Sequence, residues 1–187
     1  MPLKFFPEYT IHGTRHINRV LEIIDKLIPQ ETFEKLTERH LGILICSIIM
    51  HDIGMFIQED GVFSIIYGEH KDKKTEHLDT YTWTELWNRY IKEILRYSDD
   101  KVYNIFGIKE DINIPPSDMS KITHNDCLIY GEFLRRHHHR LAYEIVKYGF
   151  YGSKCRDIFA EINISNVEKD IIGLIARSHG MTIRDTE

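Results

Sequence analysis

Cysteine is scarce in this 187-residue chain, and its three copies, Cys46, Cys127 and Cys155, form no CxxC pair. That excludes a disulfide framework and a structural zinc finger, and the odd count fits reduced thiols. Long apolar runs are missing too: the longest, Leu41–Met50, stops well short of the ~20 residues a membrane span requires, so no transmembrane helix is expected. The opening residues, Met1 to Phe6, lack the charged region, apolar stretch and small-residue cleavage site of a secretory signal, which makes the cytoplasm the expected compartment. There is no basic excess, because 24 Lys and Arg against 29 Asp and Glu leave a formal charge of −5. A broad nucleic-acid-binding surface is disfavoured on that ground, while a local basic pocket is still permitted. Neither an internal repeat nor a strand pattern stands out.

What remains is an ordinary soluble composition, 42% hydrophobic and 28% charged, of a length that fits one domain. Ile17, Val20, Leu21, Ile24, Leu27 and Ile28 recur at helical spacing, and Pro29 ends the pattern. A second helix, capped by Thr37 or an earlier polar residue, runs through Leu41 to Met50; apolar almost all round, it is expected to lie centrally. Loop signals dominate 58–121, yet Trp83, Leu86, Trp87, Tyr90, Ile91, Ile94 and Leu95 form a helical stripe, so this span reads as an insertion or lid. Asn125 can cap a long helix that ends before Gly149. The last helix covers Asn166 to His179, with Ile171, Ile172, Leu174 and Ile175 inside and Gly180 as its stop. The expected class is all-α.

Eleven histidines are the compositional oddity, and their positions matter more than their number. His51-Asp52 directly follows the apolar helix, and an imidazole beside a carboxylate suits Mn, Fe, Co, Ni or Zn. An isolated His-Asp dipeptide is more often a capped turn next to a core-edge histidine, so the other histidines decide the reading. His12 and His16 stand four apart and share a face if the first helix begins early enough. No HExxH glutamate accompanies them, which excludes a zincin protease. His16 is the better ligand candidate, and His12 suits substrate contact or capping as well as ligation.

His16-Ile17-Asn18-Arg19-Val20, followed by His51-Asp52-Ile53-Gly54, resembles the HD superfamily of metal-dependent phosphohydrolases. The resemblance implies an HD helical bundle in which His16, His51 and Asp52 hold metal, with Asp52 at the catalytic centre. Arg136-His137-His138-His139-Arg140-Leu141-Ala142-Tyr143-Glu144 is similar to the family's later histidine helix and implies His138 as a ligand. Successive helical residues point ~100° apart, so the three histidines cannot all serve one centre; His137 or His139 would face phosphate or solvent, and His139 competes with His138 for the ligand role. Ile175-Ala176-Arg177-Ser178-His179-Gly180 is similar to the family helix that ends in a histidine ligand, which adds His179. His40, His70, His77 and His124 have no comparable setting and are expected to be exposed.

The implied cofactor is one or two divalent transition metals (Mn, Fe, Ni, Co or Zn) or Mg. Substrate contacts are expected from His12, Arg15, Arg19, Arg136 and His139, with Arg140 a further candidate, since guanidinium forks match phosphate oxygens. Phe6 to Gly13, the Trp-rich insertion and Gly131 to His138 further resemble the HD subgroup found ahead of GHKL-type ATPase modules. This implies a nucleotide or related phosphorylated small molecule as substrate, a fused or associated GHKL-type ATPase, and a capacity to form homo-oligomers.

Two departures qualify that picture. The family's final aspartate normally lies several tens of residues beyond the last histidine, whereas eight residues follow His179 here and Asp185 is too close. The expectation is that 1–187 forms one HD domain, the N-terminal part of a longer protein, with Asp170 as an alternative stand-in carboxylate. Met55 occupies the place of the lysine in HD-GYP phosphodiesterases, and no GYP motif is present, which argues against cyclic-di-GMP hydrolysis. The rival expectations are a catalytically silent module that binds a nucleotide and regulates an attached domain, and a helical scaffold with incidental histidines.

Overall fold

The computed structural model of this chain describes residues 4–6, 14–152 and 157–181. Its helices are Thr14–Leu27 (α1), Gln30–Phe33 (α2), Glu38–Met50 (α3), Glu59–Ile66 (α4), Trp83–Ile94 (α5), Asp99–Phe106 (α6), His124–Tyr148 (α7) and Asn166–Ser178 (α8). Short 3-10 turns occupy Ile53–Phe56 and Met119–Lys121, and no strand occurs among the described residues. The all-α expectation therefore holds.

Local chemistry starts the helices. Thr37, Thr82 and Ser165 each cap a helix and close a reciprocal box with the third residue on, His40, Glu85 and Glu168. Helix α7 begins one residue before the expected cap Asn125. Thr123 does the capping instead: its hydroxyl accepts from the Asp126 amide (3.2 Å), and the Asp126 carboxylate accepts from the Thr123 amide (2.8 Å).

The chain divides into two compact units, the first comprising 1–8, 57–136 and 151–155, the second 9–56, 137–150 and 156–187. Aromatic packing organises the first. Trp83, Trp87, Tyr90, Ile91 and Ile94 of α5 are buried as their spacing predicts, whereas Leu95 stays half exposed. Trp87 stacks on Tyr130 with ring centroids 5.0 Å apart and meets Phe133 edge-on at 5.1 Å. Burying each such side chain contributes roughly 1.5–3 kcal/mol. The polar tips are satisfied, because the Tyr90 hydroxyl donates to the Ile129 carbonyl (2.8 Å) and that of Tyr130 to the Pro116 carbonyl (3.0 Å).

In the second unit α3 and α8 run parallel. Arg39 Nε donates to Glu168 Oε1 at 2.7 Å near their starts, and the His51 and His179 rings lie 5.1 Å apart at their ends. Both helices turn one stripe toward a core of Val146, Phe159 and Ile172, which Ile43, Cys46 and Met50 also join. Two expectations fail here. Helix α3 is not central: only Ser47 and Ile48 are buried, and Ile45 and Ile49 are each 44% exposed. In α8, Ile172 and Ala176 are buried, while Ile171, Leu174 and Ile175 are about two-fifths exposed. A helix applies only one stripe to a single core, so the apolar residues on its other side remain outside it whatever their composition.

Candidate metal centre

His51 and His179 arrive at their site in the same way. Each is the residue that ends its helix, α3 or α8, and each turns Nδ1 back to a carbonyl three residues earlier. His51 Nδ1 lies 2.7 Å from the Ile48 oxygen, and His179 Nδ1 bonds the Ala176 oxygen. A ring nitrogen facing a carbonyl must carry the proton, so in the neutral imidazole the lone pair sits on Nε2 and points away from the helix. Such a second hydrogen bond fixes the tautomer and orientation that a metal ligand needs.

The lone pairs converge. His51 Nε2 lies 3.1 Å from His16 Nε2, and His179 Nε2 lies 2.7 Å from His138 Nε2. Asp52 joins the two pairs, with one oxygen for each. Its Oδ2 is 2.9 Å from His51 Nε2 and 3.6 Å from His16 Nε2, while Oδ1 is 3.4 Å from His138 Nε2 and 3.7 Å from His179 Nε2. Two sets of ligand atoms result, His16–His51–Asp52 and Asp52–His138–His179, each within 4.8 Å of one another. All five sequence-expected metal residues are therefore in one cluster.

Electrostatics divides the imidazoles. Burial disfavours the charged form of His51, but the Asp52 carboxylate and the Ile48 carbonyl outweigh it and leave the pKa above the ordinary value. Burial, reinforced by His138 and His51, pushes His179 below its ordinary value, in the direction that favours the neutral imidazole. Imidazoles facing each other across a shared carboxylate fit a divalent ion of the Mn-to-Zn series, whose charge would offset both the carboxylate and the lone-pair crowding.

The expected substrate residues are distributed unevenly. Arg15 and Arg19 flank His16 on α1, are exposed, and form no ion pair among the described residues. His139 is half-buried, its ring 6.0 Å from that of His138 and 6.4 Å from that of His179. Arg136 belongs to the first unit, where it contacts Glu93, Glu132 and Tyr97. Arg140 is buried against Glu144, Nε to Oε1 at 2.9 Å. His12 and Asp185 lie outside the described residues. Asp170 is not in either ligand set; its carboxylate accepts from Lys147 and from the Tyr143 hydroxyl. Of the histidines expected to be exposed, His70 is half-buried, with Nδ1 2.7 Å from Ser64 Oγ.

Sequence reasoning overlooked the Ile48 and Ala176 carbonyls that orient the ligands. The signal was present as a histidine immediately after each helix, with glycine close behind at Gly54 and Gly180. A cavity of about 640 Å³ in the first unit, lined by Ile108, Glu110, Ile112, Asp126 and Ile129 among others, contains none of the metal candidates. No helix among the described residues is long and apolar enough to cross a membrane. A family model described as HD-CE matches residues 6–187. No curated protein and no solved structure matches the chain.

Proposed function

From the premise that the chain belongs to the HD-CE family, we propose that it is a divalent-metal-dependent phosphohydrolase acting on a nucleotide or a related phosphorylated small molecule. One observation carries this reading: Asp52 directs one oxygen to the His16–His51 pair and the other to the His138–His179 pair, so that His16, His51 and Asp52 would hold one ion and Asp52, His138 and His179 a second. Bound there, the metal supplies Lewis acidity toward a phosphoryl oxygen and activation of water.

The chain's own residues do the rest. His16, His51, His138 and His179 hold the site, and the Ile48 and Ala176 carbonyls keep the Nε2 atoms of His51 and His179 aimed. Arg15 and Arg19, one turn apart on α1 and without an ion pair among the described residues, receive the phosphate. His139, beside His138, contributes a further donor to it. Residues 58–121 are an insertion within a single HD domain. The expected result is phosphate release from nucleotide substrates that needs Mn(II) or a similar ion and is lost in His51→Ala. Stoichiometric metal without turnover on any phosphorylated substrate would overturn the enzymatic reading.

A second reading has its own observation: among the described residues, no carboxylate besides Asp52 belongs to either ligand set. On that reading the domain binds a nucleotide without turnover and signals to an attached or associated GHKL-type ATPase or to a second copy. Calorimetry separates the two, since nucleotide binding that leaves the nucleotide intact in the presence of Mn(II) supports the silent module.

A further inference from the structure

Helix α3 and the following turn carry His51 and Asp52, whereas His138 belongs to α7, and the two must approach closely for Asp52 to serve both histidine pairs. The structure shows what permits this. Gly54 is buried in the 3-10 turn two residues after Asp52, and the turn is tied back by the Met55 amide, which donates to the Asp52 carbonyl at 2.9 Å. A Cβ on Gly54 would stand 2.4 Å from the His138 carbonyl oxygen and 2.8 Å from Leu141 Cβ. Both obstacles belong to the α7 backbone or are fixed directly to it, so no side-chain rotation relieves them.

We infer that Gly54 is a positioning residue for the second ligand set, Asp52–His138–His179, and is not required by the first, His16–His51–Asp52. This rests on the reading that both sets take up metal. The magnitude follows from two lengths. Ordinary van der Waals contact begins near 3.4 Å, so an alanine at position 54 must open about 1 Å between the turn and α7. His138 Nε2 and Asp52 Oδ1 are already 3.4 Å apart. Ligand atoms ~2.1 Å from a shared transition metal cannot be more than ~4.2 Å apart, and another 1 Å takes this pair past that limit. His16, His51 and Asp52 lie on α1 and the end of α3, ahead of the obstructed turn, so their spacing is retained.

Two other glycines grade the effect. A Cβ on Gly180 would come within 2.4 Å of the His139 ring, which can swing away, and 2.6 Å of His139 Cβ, which cannot, but it meets no backbone oxygen as one on Gly54 does. A Cβ on Gly42, in α3 itself, meets nothing within 4 Å. The order of damage to the second set is therefore Gly54→Ala, then Gly180→Ala, with Gly42→Ala harmless.

The experiment titrates the full chain with Mn(II) by calorimetry and counts bound metal after equilibrium dialysis. Wild type and Gly42→Ala are expected to take up two equivalents, and Gly54→Ala one, with the affinity of the remaining ion within about threefold of wild type. Two equivalents in Gly54→Ala overturn the inference and leave the proposed metal centre standing. Wild type that takes up fewer than two overturns the two-metal reading itself. Retention of the first ion and an unchanged helical circular dichroism spectrum verify folding. If Gly54→Ala does not fold, Gly180→Ala carries the test: a second ion weakened about tenfold supports the inference, and an unchanged second ion overturns it.

Discussion

Two polar clusters are rooted on α7 two residues apart, and they are built on opposite principles. In the first unit, Arg136 donates to Glu132 and to both oxygens of Glu93, receives the support of Tyr97, and lies over the Tyr90 ring. Each charge there faces its opposite. Burial opposes the Arg136 charge, but Tyr97, Glu132 and Glu93 outweigh it and raise its pKa; Tyr97 and Arg136 in turn lower that of Glu93. In the second unit, four imidazoles surround Asp52, and their Nε2 atoms face one another at 2.7 and 3.1 Å. The first cluster sets each charge against its opposite, whereas the second sets imidazole nitrogens against one another around a single carboxylate, a donor set that could hold a metal ion. Titratable groups packed together do not by themselves indicate a site; what separates a strut from a binding centre is whether donors and acceptors already balance.

The largest expected effect breaks the second cluster at its shared member. Asp52→Ala should lose both metal equivalents, with affinity down by more than ~100-fold, a change readable by plasma mass spectrometry of gently purified protein. Next come the pairs: His138→Ala should retain one equivalent at the His16–His51 set, and His16→Ala one at the other. If either variant lost both, the two sets would be a single centre. In the first cluster, Arg136→Met should leave metal content at the wild-type level and lower unfolding free energy by about 1–2 kcal/mol in urea titration, since it removes the guanidinium that holds Glu93 and leaves Glu132 with Arg135 alone. A fall in metal content would instead tie Arg136 to the metal centre.

The smallest effect tests the ion pair that starts the parallel helices. Hydrogen bonds from Arg39 and Ser165 hold the Glu168 carboxyl down at about 2. A folded-state pKa below the unfolded one contributes stability that is present above the unfolded value, ~4.3, and is lost as pH falls toward the folded value. The melting temperature of wild type should therefore drop more steeply between pH 5 and about 2 than that of Glu168→Gln. Equal slopes would show that the cap and ion pair contribute nothing.

Much of the candidate site was legible because His16, His51, Asp52, His138 and His179 stand in segments that resemble motifs of the HD superfamily. His16 stands on the α1 periodicity, His51 and His179 directly follow α3 and α8, and His138 lies within the long α7 pattern. The distribution of roles among the arginines was not legible. Arg15, Arg19, Arg136 and Arg140 look alike as sequence, yet two are exposed, one is clamped by glutamates and one is buried against Glu144. Amphipathic spacing likewise located α5 and its buried rings but misplaced Ile45, Ile49, Ile171, Leu174 and Ile175, because periodicity identifies an apolar side without saying whether a core covers it.

By itself, then, the sequence determined the helical class, several helix ends and the donor atoms that the candidate ligands offer, since these follow from local spacing, capping side chains and the atoms each residue type carries. Only the tertiary structure decided that Asp52 divides its oxygens between two histidine pairs and that Gly54 admits α7 close enough for it to do so. Those are distances between segments far apart in the chain, and they are settled by how backbones pack.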